Sequence, residues 1–201
     1  MIGIFGGTFD PIHIGHLRLA TEVAEALGLD RVQLVPAAIP PHRGEPLLDA
    51  DTRLELVAES IADDPRLVLD DREHRRAGPS YTSDTLAEFA AEFPGEPLVL
   101  LMGMDAFNGL PDWHEVDRIL ESAHIAVATR PGARAQGTAR EWLEARRATA
   151  EDLPGAAPGR IVPVEITRLD ISATGLRALV DQGRSLRYLV PEPVVRHFTC
   201  G

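Results

Sequence analysis

The stretch GGTFDPIHIGHL, residues 6–17, decides how the rest of the chain is interpreted. The preceding MIGIF is apolar enough for a buried strand, and Gly6-Gly7 predicts a tight turn after it. The following HLRLATEVAEALGL predicts a helix that Gly28 ends, with apolar residues at helical spacing: Leu17, Ala20, Val23, Ala24 and Leu27. A strand, a glycine turn and a helix are typical of the start of a parallel α/β sheet.

The rest of the chain continues this alternation. We expect further strands at RVQLVP (31–36), RLVLDD (66–71), EPLVLLMG (96–103), HIAVATR (124–130) and RIVPVEI (160–166). The most apolar of these, EPLVLLMG, is predicted to be central. The expected fold is a Rossmann-like, doubly wound parallel sheet in one domain spanning residues 1–201.

Helices are predicted between these strands. DTRLELVAESIA should direct its apolar residues inward, namely Leu54, Leu56, Val57 and Ile61. PSYTSDTLAEFAAEF opens as a loop and becomes a helix capped by Ser83 or Asp84. An amphipathic helix around Trp142 precedes a mobile linker that ends near Gly159. In SATGLRALVDQG, Ser172 is the expected N-cap and Gly183 the expected C-cap.

Composition limits the possible partners. The 201 residues carry a formal net charge of −11, which opposes binding to nucleic acid or to an anionic membrane but permits a local phosphate pocket. No apolar run reaches the roughly 18 residues of a membrane span. The opening lacks the basic start of a signal peptide, and Cys200 is the one cysteine. We expect a cytoplasmic monomer or homodimer that binds neither nucleic acid nor membrane.

Lysine is absent, since all 20 basic residues are arginine. This excludes a Walker A lysine, a Schiff base and a lysyl-adenylate intermediate. A genome that favours arginine codons is a sufficient explanation of the bias.

The turn after the first strand has the groups that bind phosphate. Gly6 and Gly7 let the backbone approach a ligand, and Thr8 supplies a hydroxyl. His13 and His16 supply imidazoles at the start of the first helix, where free N–H groups and the positive end of the helix dipole favour anions. The stretch therefore predicts a cradle for a polyphosphate.

Two other interpretations of the histidines remain open. Histidines three residues apart can bind zinc, with Asp10 as a third ligand, which would suggest a metal-dependent phosphohydrolase. They can also be ordinary loop residues. No further Cys or His cluster completes a zinc shell in the sequence, so the predictions include no metal ligands.

The spacing T-x-x-x-x-H-x-G-H, formed by Thr8, His13, Gly15 and His16, resembles the signature of the nucleotidyltransferase superfamily. ISATGLR (171–177) resembles the second motif of its small adenylyltransferases. Further stretches resemble bacterial nicotinate-nucleotide adenylyltransferases: FGGTFDPIHIGHL, PPHR, GPSYTSDTL, LMGMDAFNGLPDWHEV, AHIAVATRPG and LVPEPV.

This resemblance implies the nucleotidyltransferase fold. It also implies transfer of AMP from ATP to nicotinate mononucleotide, giving deamido-NAD and pyrophosphate, with Mg²⁺ held mainly by ATP. His13, His16 and Arg177 would be the catalytic residues. Asp105 would hold the ribose, although it could also be a helix N-cap. Ala173 replaces a serine of many relatives. The expected ATP-binding residues are Gly6, Gly7, Thr8, Phe9, His13, His16, Gly103, Asp105, Ser172, Thr174 and Arg177.

For the mononucleotide, the resemblance implies that Thr82 meets the nicotinate carboxylate and that the Trp113 indole stacks on the pyridinium ring. Arg43 would grip the phosphate or remain a solvated loop residue. His114 stands where relatives often have tyrosine. Two alternatives remain: an adenylyltransferase with another acceptor, such as nicotinamide mononucleotide or phosphopantetheine, and a non-catalytic nucleotide sensor.

Overall fold

A computed structural model describes residues 1–41, 44–129 and 132–199. Its sheet is parallel, with strands in the order β3-β2-β1-β4-β5-β6, which confirms the doubly wound architecture. The central pair, β1 and β4, marks the point where the strand order reverses. The strands are β1 (Ile2–Gly7), β2 (Arg31–Pro36), β3 (Leu67–Leu69), β4 (Leu98–Gly103), β5 (His124–Thr129) and β6 (Ile161–Glu165).

Helices cover both faces of this sheet. Alternate residues of β4 show it, because Val99 and Leu101 belong to one buried cluster and Leu98 and Leu100 to the other. No helix in the described part of the chain has the length and hydropathy that crossing a bilayer requires. The helices are α1 (Ile14–Leu27), α2 (Ala50–Ile61), α3 (Arg72–Arg75), α4 (Thr82–Glu92), α5 (Met104–Gly109), α6 (Val116–Ser122), α7 (Gly137–Arg146), α8 (Ala173–Asp181) and α9 (Glu192–Thr199).

The start of α4 differs from the prediction. The helix begins at Thr82, its N-cap is Tyr81, and no side chain caps it. Ser83 and Asp84, the predicted caps, lie inside the first turn, so that prediction was wrong. Ser83 is buried there, which places it within the helix rather than at its exposed entrance.

The prediction of a mobile linker between α7 and Gly159 was also wrong. A 3₁₀ turn (Ala150–Gly155) follows α7, with a capping box between Thr149 and Asp152 and a fully buried Leu153. In α2, Leu54 is only half-buried, because the neighbouring position facing the core is Arg53.

Smaller differences concern helix ends and short helices. Gly28 caps α1 at φ 61° as predicted. The C-cap of α8 is Gln182, and Gly183 follows it at φ 64°. The N-cap of α5 is Gly103, so Asp105 is not a cap and lies in the first turn. The helices α3, α5 and α6, of 4, 6 and 7 residues, are too short for apolar periodicity to reveal.

Candidate active site

Two adjoining cavities open where β1 and β4 end, which is where ligands bind in a doubly wound sheet. Each has a volume of about 350 Å³. The α1 cavity is lined by the turn after β1, the start of α1 and the start of α8. The α4 cavity is lined by the segment after β2, the start of α4 and the segment after α5. Both cavities share the rim residues Gly6, Gly7, Thr8, Thr82, Asp105, Ala106 and Trp113.

His13 and His16 form a reciprocal cap at the start of α1. The N–H of His16 donates to Nδ1 of His13 at 3.3 Å, and the N–H of His13 donates to Nδ1 of His16 at 3.3 Å. The two rings stack with their centroids 3.6 Å apart. A Cβ at Gly15 would lie 3.0 Å from Nδ1 of His13, so a glycine makes room for the stack.

This cap favours one tautomer of each neutral imidazole. A ring nitrogen that accepts a hydrogen bond carries no proton, so the proton of each neutral ring lies on Nε2. The rings of Phe9 and His16 make an edge-to-face contact, with their centroids 5.1 Å apart. Phe9 is itself buried, with its backbone at φ 47°. The arrangement preorganises the two imidazoles as N–H donors.

The glycines of the turn have different roles. A Cβ at Gly6 would meet no atom within 4 Å, so this position faces open space at the cavity rim. A Cβ at Gly7 would lie 3.0 Å from the Phe9 ring. Packing inside the turn therefore favours glycine at this position, because the Phe9 ring would have to shift to admit a Cβ.

The carboxylate of Asp10 already accepts hydrogen bonds from within the protein. Its Oδ2 accepts the N–H of Leu47 at 2.9 Å, and its Oδ1 accepts the N–H of Leu48 at 3.0 Å. Within residues 1–41, 44–129 and 132–199, no group of three or more His, Cys, Asp or Glu could hold a metal ion. The geometry opposes the zinc-site alternative, in which Asp10 was the third ligand.

The second motif lies against the first. Ser172 caps α8 by accepting the N–H of Gly175 at 3.1 Å. Arg177 donates to the main-chain oxygen of Asp10 at 2.8 Å and to the Thr174 hydroxyl at 3.1 Å. A third cavity beside the rim is lined by Thr8, Thr174 and Arg177, among others. The structure thus brings residues from the two ends of the chain to one place.

Gly103 and Asp105 lie at the end of β4, where the prediction placed them. Gly103 lines the α1 cavity, and the exposed Asp105 is on the rim that both cavities share. A carboxylate in this position can accept hydrogen bonds from a ligand hydroxyl in either cavity.

The α4 cavity is walled by aromatic rings. Tyr81 and His114 stack with their centroids 4.1 Å apart, and the half-buried Trp113 stands beside them. Thr82 lies at the first position of α4. Arg43, predicted to bind the mononucleotide phosphate, falls outside the described residues.

The sequence did not single out Tyr81, Glu73 or Arg53. Tyr81 and Glu73 line the α4 cavity, and Arg53 is 1% exposed beneath the rim. Burial lowers the pKa of Arg53, while the charges of Asp10 and Asp49 oppose that shift. For Arg53 the sequence offered one signal, its position on the apolar face of a predicted helix. Charged side chains are seldom fully buried without a role.

The guanidinium of Arg53 binds main-chain carbonyls from three segments. Nη1 donates to the oxygen of Thr8 at 2.8 Å and to that of Ala37 at 2.6 Å. Nη2 donates to the oxygen of Ala38 and Nε to that of Leu48, both at 3.2 Å. Arg53 therefore ties the turn after β1 to the segment after β2.

Comparison with known proteins gives the family. The Cytidylyltransferase-like family matches residues 4–179. A Halorhodospira halophila protein named "Probable nicotinate-nucleotide adenylyltransferase" is 49% identical, with 96% of this chain and 90% of that protein covered. A protein of the same name from Aeromonas hydrophila is 47% identical, with 98% and 93% covered.

Solved structures agree in fold. Plasmodium falciparum nicotinic acid mononucleotide adenylyltransferase complexed with NaAD matches with a TM-score of 0.75 at 15% identity, covering 99% of this chain and 94% of that one. Its complex with APC gives a TM-score of 0.72 at 14% identity, with the same coverage. The family model and the sequence relatives show that this chain belongs to the Cytidylyltransferase-like family. Within it, the chain belongs to the nicotinate-nucleotide adenylyltransferases, a family of nucleotidyl-transferring enzymes.

Proposed function

We propose that the chain transfers AMP from ATP to the phosphate of nicotinate mononucleotide, giving deamido-NAD and pyrophosphate. The observation that carries this proposal is the pair of adjoining cavities with a common rim at Gly6, Gly7 and Thr8. One cavity has stacked imidazoles and helix N-termini, which suit a triphosphate, and the other has aromatic walls, which suit a pyridine nucleotide. Two nucleotides bound in this way would bring their reacting phosphates together at the rim.

The chemistry requires positioning more than proton transfer. The phosphate of the mononucleotide is already an anion, so it can attack the α-phosphate of ATP in line with the leaving pyrophosphate without a general base. In this scheme His13 and His16 donate from Nε2 to the α-phosphate, at the start of α1. Such fixed donors stabilise the charge that develops in the transition state.

The leaving pyrophosphate would lie at the start of α8. The Ser172 hydroxyl, Thr174 and Arg177 would donate to its oxygens, in the third cavity, which Thr174 and Arg177 line beside Thr8. The N-terminus of α8 adds favourable electrostatics for an anion. Asp105 would accept the ribose hydroxyls, next to Gly103 in the α1 cavity.

Magnesium would enter with ATP. The side chains expected to face the phosphates are hydroxyls, imidazoles and a guanidinium, which bind anions, while the Asp10 carboxylate already accepts two main-chain N–H groups. This set fits a Mg²⁺ held by phosphate oxygens and water rather than by a protein cage. When bound, the ion would neutralise charge on the leaving pyrophosphate.

The mononucleotide would bind in the α4 cavity. The nicotinate carboxylate would meet the Thr82 hydroxyl and the first N–H groups of α4, which no side chain caps. The pyridinium ring would stack on Trp113. We also propose that Arg43 binds the mononucleotide phosphate. Because ATP is an intracellular metabolite, this activity implies a cytoplasmic location.

The test is an assay of purified protein with ATP, Mg²⁺ and one acceptor at a time. We expect pyrophosphate and deamido-NAD with nicotinate mononucleotide, and slower turnover with nicotinamide mononucleotide because it lacks the carboxylate. Absence of pyrophosphate release with nicotinate mononucleotide would overturn the proposal, and release with phosphopantetheine alone would favour that alternative acceptor. Equal or better use of the amide would overturn the role given to Thr82.

A further inference from the structure

Glu73 is a buried carboxyl that the proposed chemistry does not use. It lies on α3, is 6% exposed, and lines the α4 cavity. Its Oε1 accepts the Thr85 hydroxyl at 2.6 Å, and the Ser80 side chain also hydrogen-bonds to it. Burial raises the pKa of Glu73, although hydrogen bonds from Thr85 and Ser80 and the charge of Arg76 oppose that shift.

The two hydroxyls belong to the segments that wall the cavity. Thr85 lies one turn into α4, and its Oγ1 is 3.2 Å from the carbonyl oxygen of Tyr81. Ser80 Oγ accepts the N–H of Ile39 at 3.2 Å, and the N–H of Ser80 donates to the Ile39 oxygen at 2.9 Å. Through these contacts Glu73 connects α3, the start of α4 and the segment after β2.

Charged groups complete the network on the other side of Thr85. Arg76 Nη2 donates to Thr85 Oγ1 at 3.2 Å, and Arg76 Nη1 donates to Glu88 at 2.8 Å. The first turn of α4 is therefore held between a buried carboxyl and a half-buried guanidinium. Such a network restricts where Tyr81 and Thr82 can lie.

We infer that Glu73 is a positioning residue for the mononucleotide: its hydrogen bonds to Thr85 and Ser80 hold the start of α4 in the geometry that receives the nicotinate ring. The inference rests on the proposed function. A buried carboxyl is costly, and a purely apolar wall would fill the same space. The hydrogen bonds described for Glu73 reach α4 and the segment before it, and not the turn after β1 or α8. Loss of Glu73 should therefore weaken mononucleotide binding and leave ATP binding nearly unchanged.

Four variants test this. E73A removes the acceptor of both hydroxyls, E73Q keeps one acceptor oxygen, and T85V removes one hydroxyl with little change in shape. The matched control is E92Q, which breaks an ion pair with Arg72 at the far end of α4. KM for each substrate, kcat, mononucleotide affinity by calorimetry and thermal stability are measured for each.

For E73A we expect KM for nicotinate mononucleotide to rise about tenfold, because the start of α4 can then shift and a small misplacement of substrate-positioning groups costs that order of effect. KM for ATP should change less than about twofold, with E73Q and T85V giving smaller rises of the same kind. E92Q should leave both KM values unchanged. T85V decides the result if E73A does not fold.

Unchanged mononucleotide KM in E73A and T85V, or equal rises in both KM values, would overturn the inference. A wild-type protein that forms no deamido-NAD would instead overturn the proposed function.

Discussion

The α1 cavity and the α4 cavity are built by different means. The α1 cavity is formed where α1 and α8 begin, and its two imidazoles are held by a reciprocal cap with the main chain. The α4 cavity is assembled from side chains of separate segments and supported by a buried polar network. We therefore expect changes in the α1 cavity to lower the rate of transfer, and changes in the α4 cavity to alter affinity for the acceptor.

The largest effect is expected for H16A. This change removes a preorganised donor at the α-phosphate, so kcat should fall by about 10²–10³-fold. ATP affinity should fall far less, because the proposed phosphate contacts of Ser172, Thr174 and Arg177 remain. Pyrophosphate release measures the rate, and calorimetry with ATP measures the binding.

The exposed His197 on α9 offers a matched control for H16A. H197A should retain wild-type kinetics. If H16A lost ATP affinity as much as rate, the residue would serve ground-state binding only, and the non-catalytic sensor would become the better interpretation.

The two tryptophans sharpen the comparison. W113A should raise KM for nicotinate mononucleotide about tenfold, since stacking of a cationic ring on a partly desolvated indole is worth about 1–2 kcal/mol. Trp142 lies on α7, outside both cavities, so W142A should affect thermal stability and not KM. Similar KM shifts in W113A and W142A would mean that both act through packing alone.

Gly15 tests whether the imidazole stack matters. In G15A the new Cβ would lie 3.0 Å from Nδ1 of His13, so the ring must shift by a few tenths of an ångström. We expect kcat to fall about five- to tenfold, because catalytic donors tolerate little displacement. G155A is the control, since a Cβ there meets no atom within 4 Å. Wild-type turnover by G15A would show that the stacked geometry is dispensable.

The smallest expected effect is a change of the unfolding free energy with pH, caused by Glu73 in the α4 cavity. Burial raises the pKa of Glu73 in the folded chain above its ordinary value, so the folded state binds the proton more tightly than the unfolded state. The resulting stability is fully present below the ordinary pKa and is lost as pH rises through the folded value. The amide that E73Q introduces does not titrate. Unfolding free energies in urea should therefore show wild type losing stability relative to E73Q across that window, and a constant difference would contradict the shift.

Features encoded within a few residues were predicted from the sequence, and features that depend on distant contacts were not. The strand, glycine turn and helix at residues 6–17 were correct because apolar period and glycine chemistry act locally. The cap on α8 at Ser172 was correct for the same reason. The two motifs were expected to share a site only through a family resemblance, since Arg177 and Asp10 are 167 residues apart.

The role of Glu73 had no local signature, and that of Arg53 had only the position of a charged residue on an apolar helix face. Glu73 sits in the four-residue α3, which is too short to show periodicity, and its partners lie on other segments. The Ser80–Ile39 contact spans 41 residues and depends on how β2 and α4 pack. The predicted α4 cap failed because Ser83, a good capping residue, is buried inside the first turn by tertiary packing.

The guanidinium of Arg53 also bears on the absence of lysine from the chain. This planar group donates hydrogen bonds to four carbonyl oxygens, whereas the ammonium group of a lysine has only three protons to donate. A lysine at position 53 would leave at least one of these four carbonyl oxygens without its hydrogen-bond donor. At position 53 the hydrogen-bond geometry itself favours arginine over lysine, whatever the base composition of the genome.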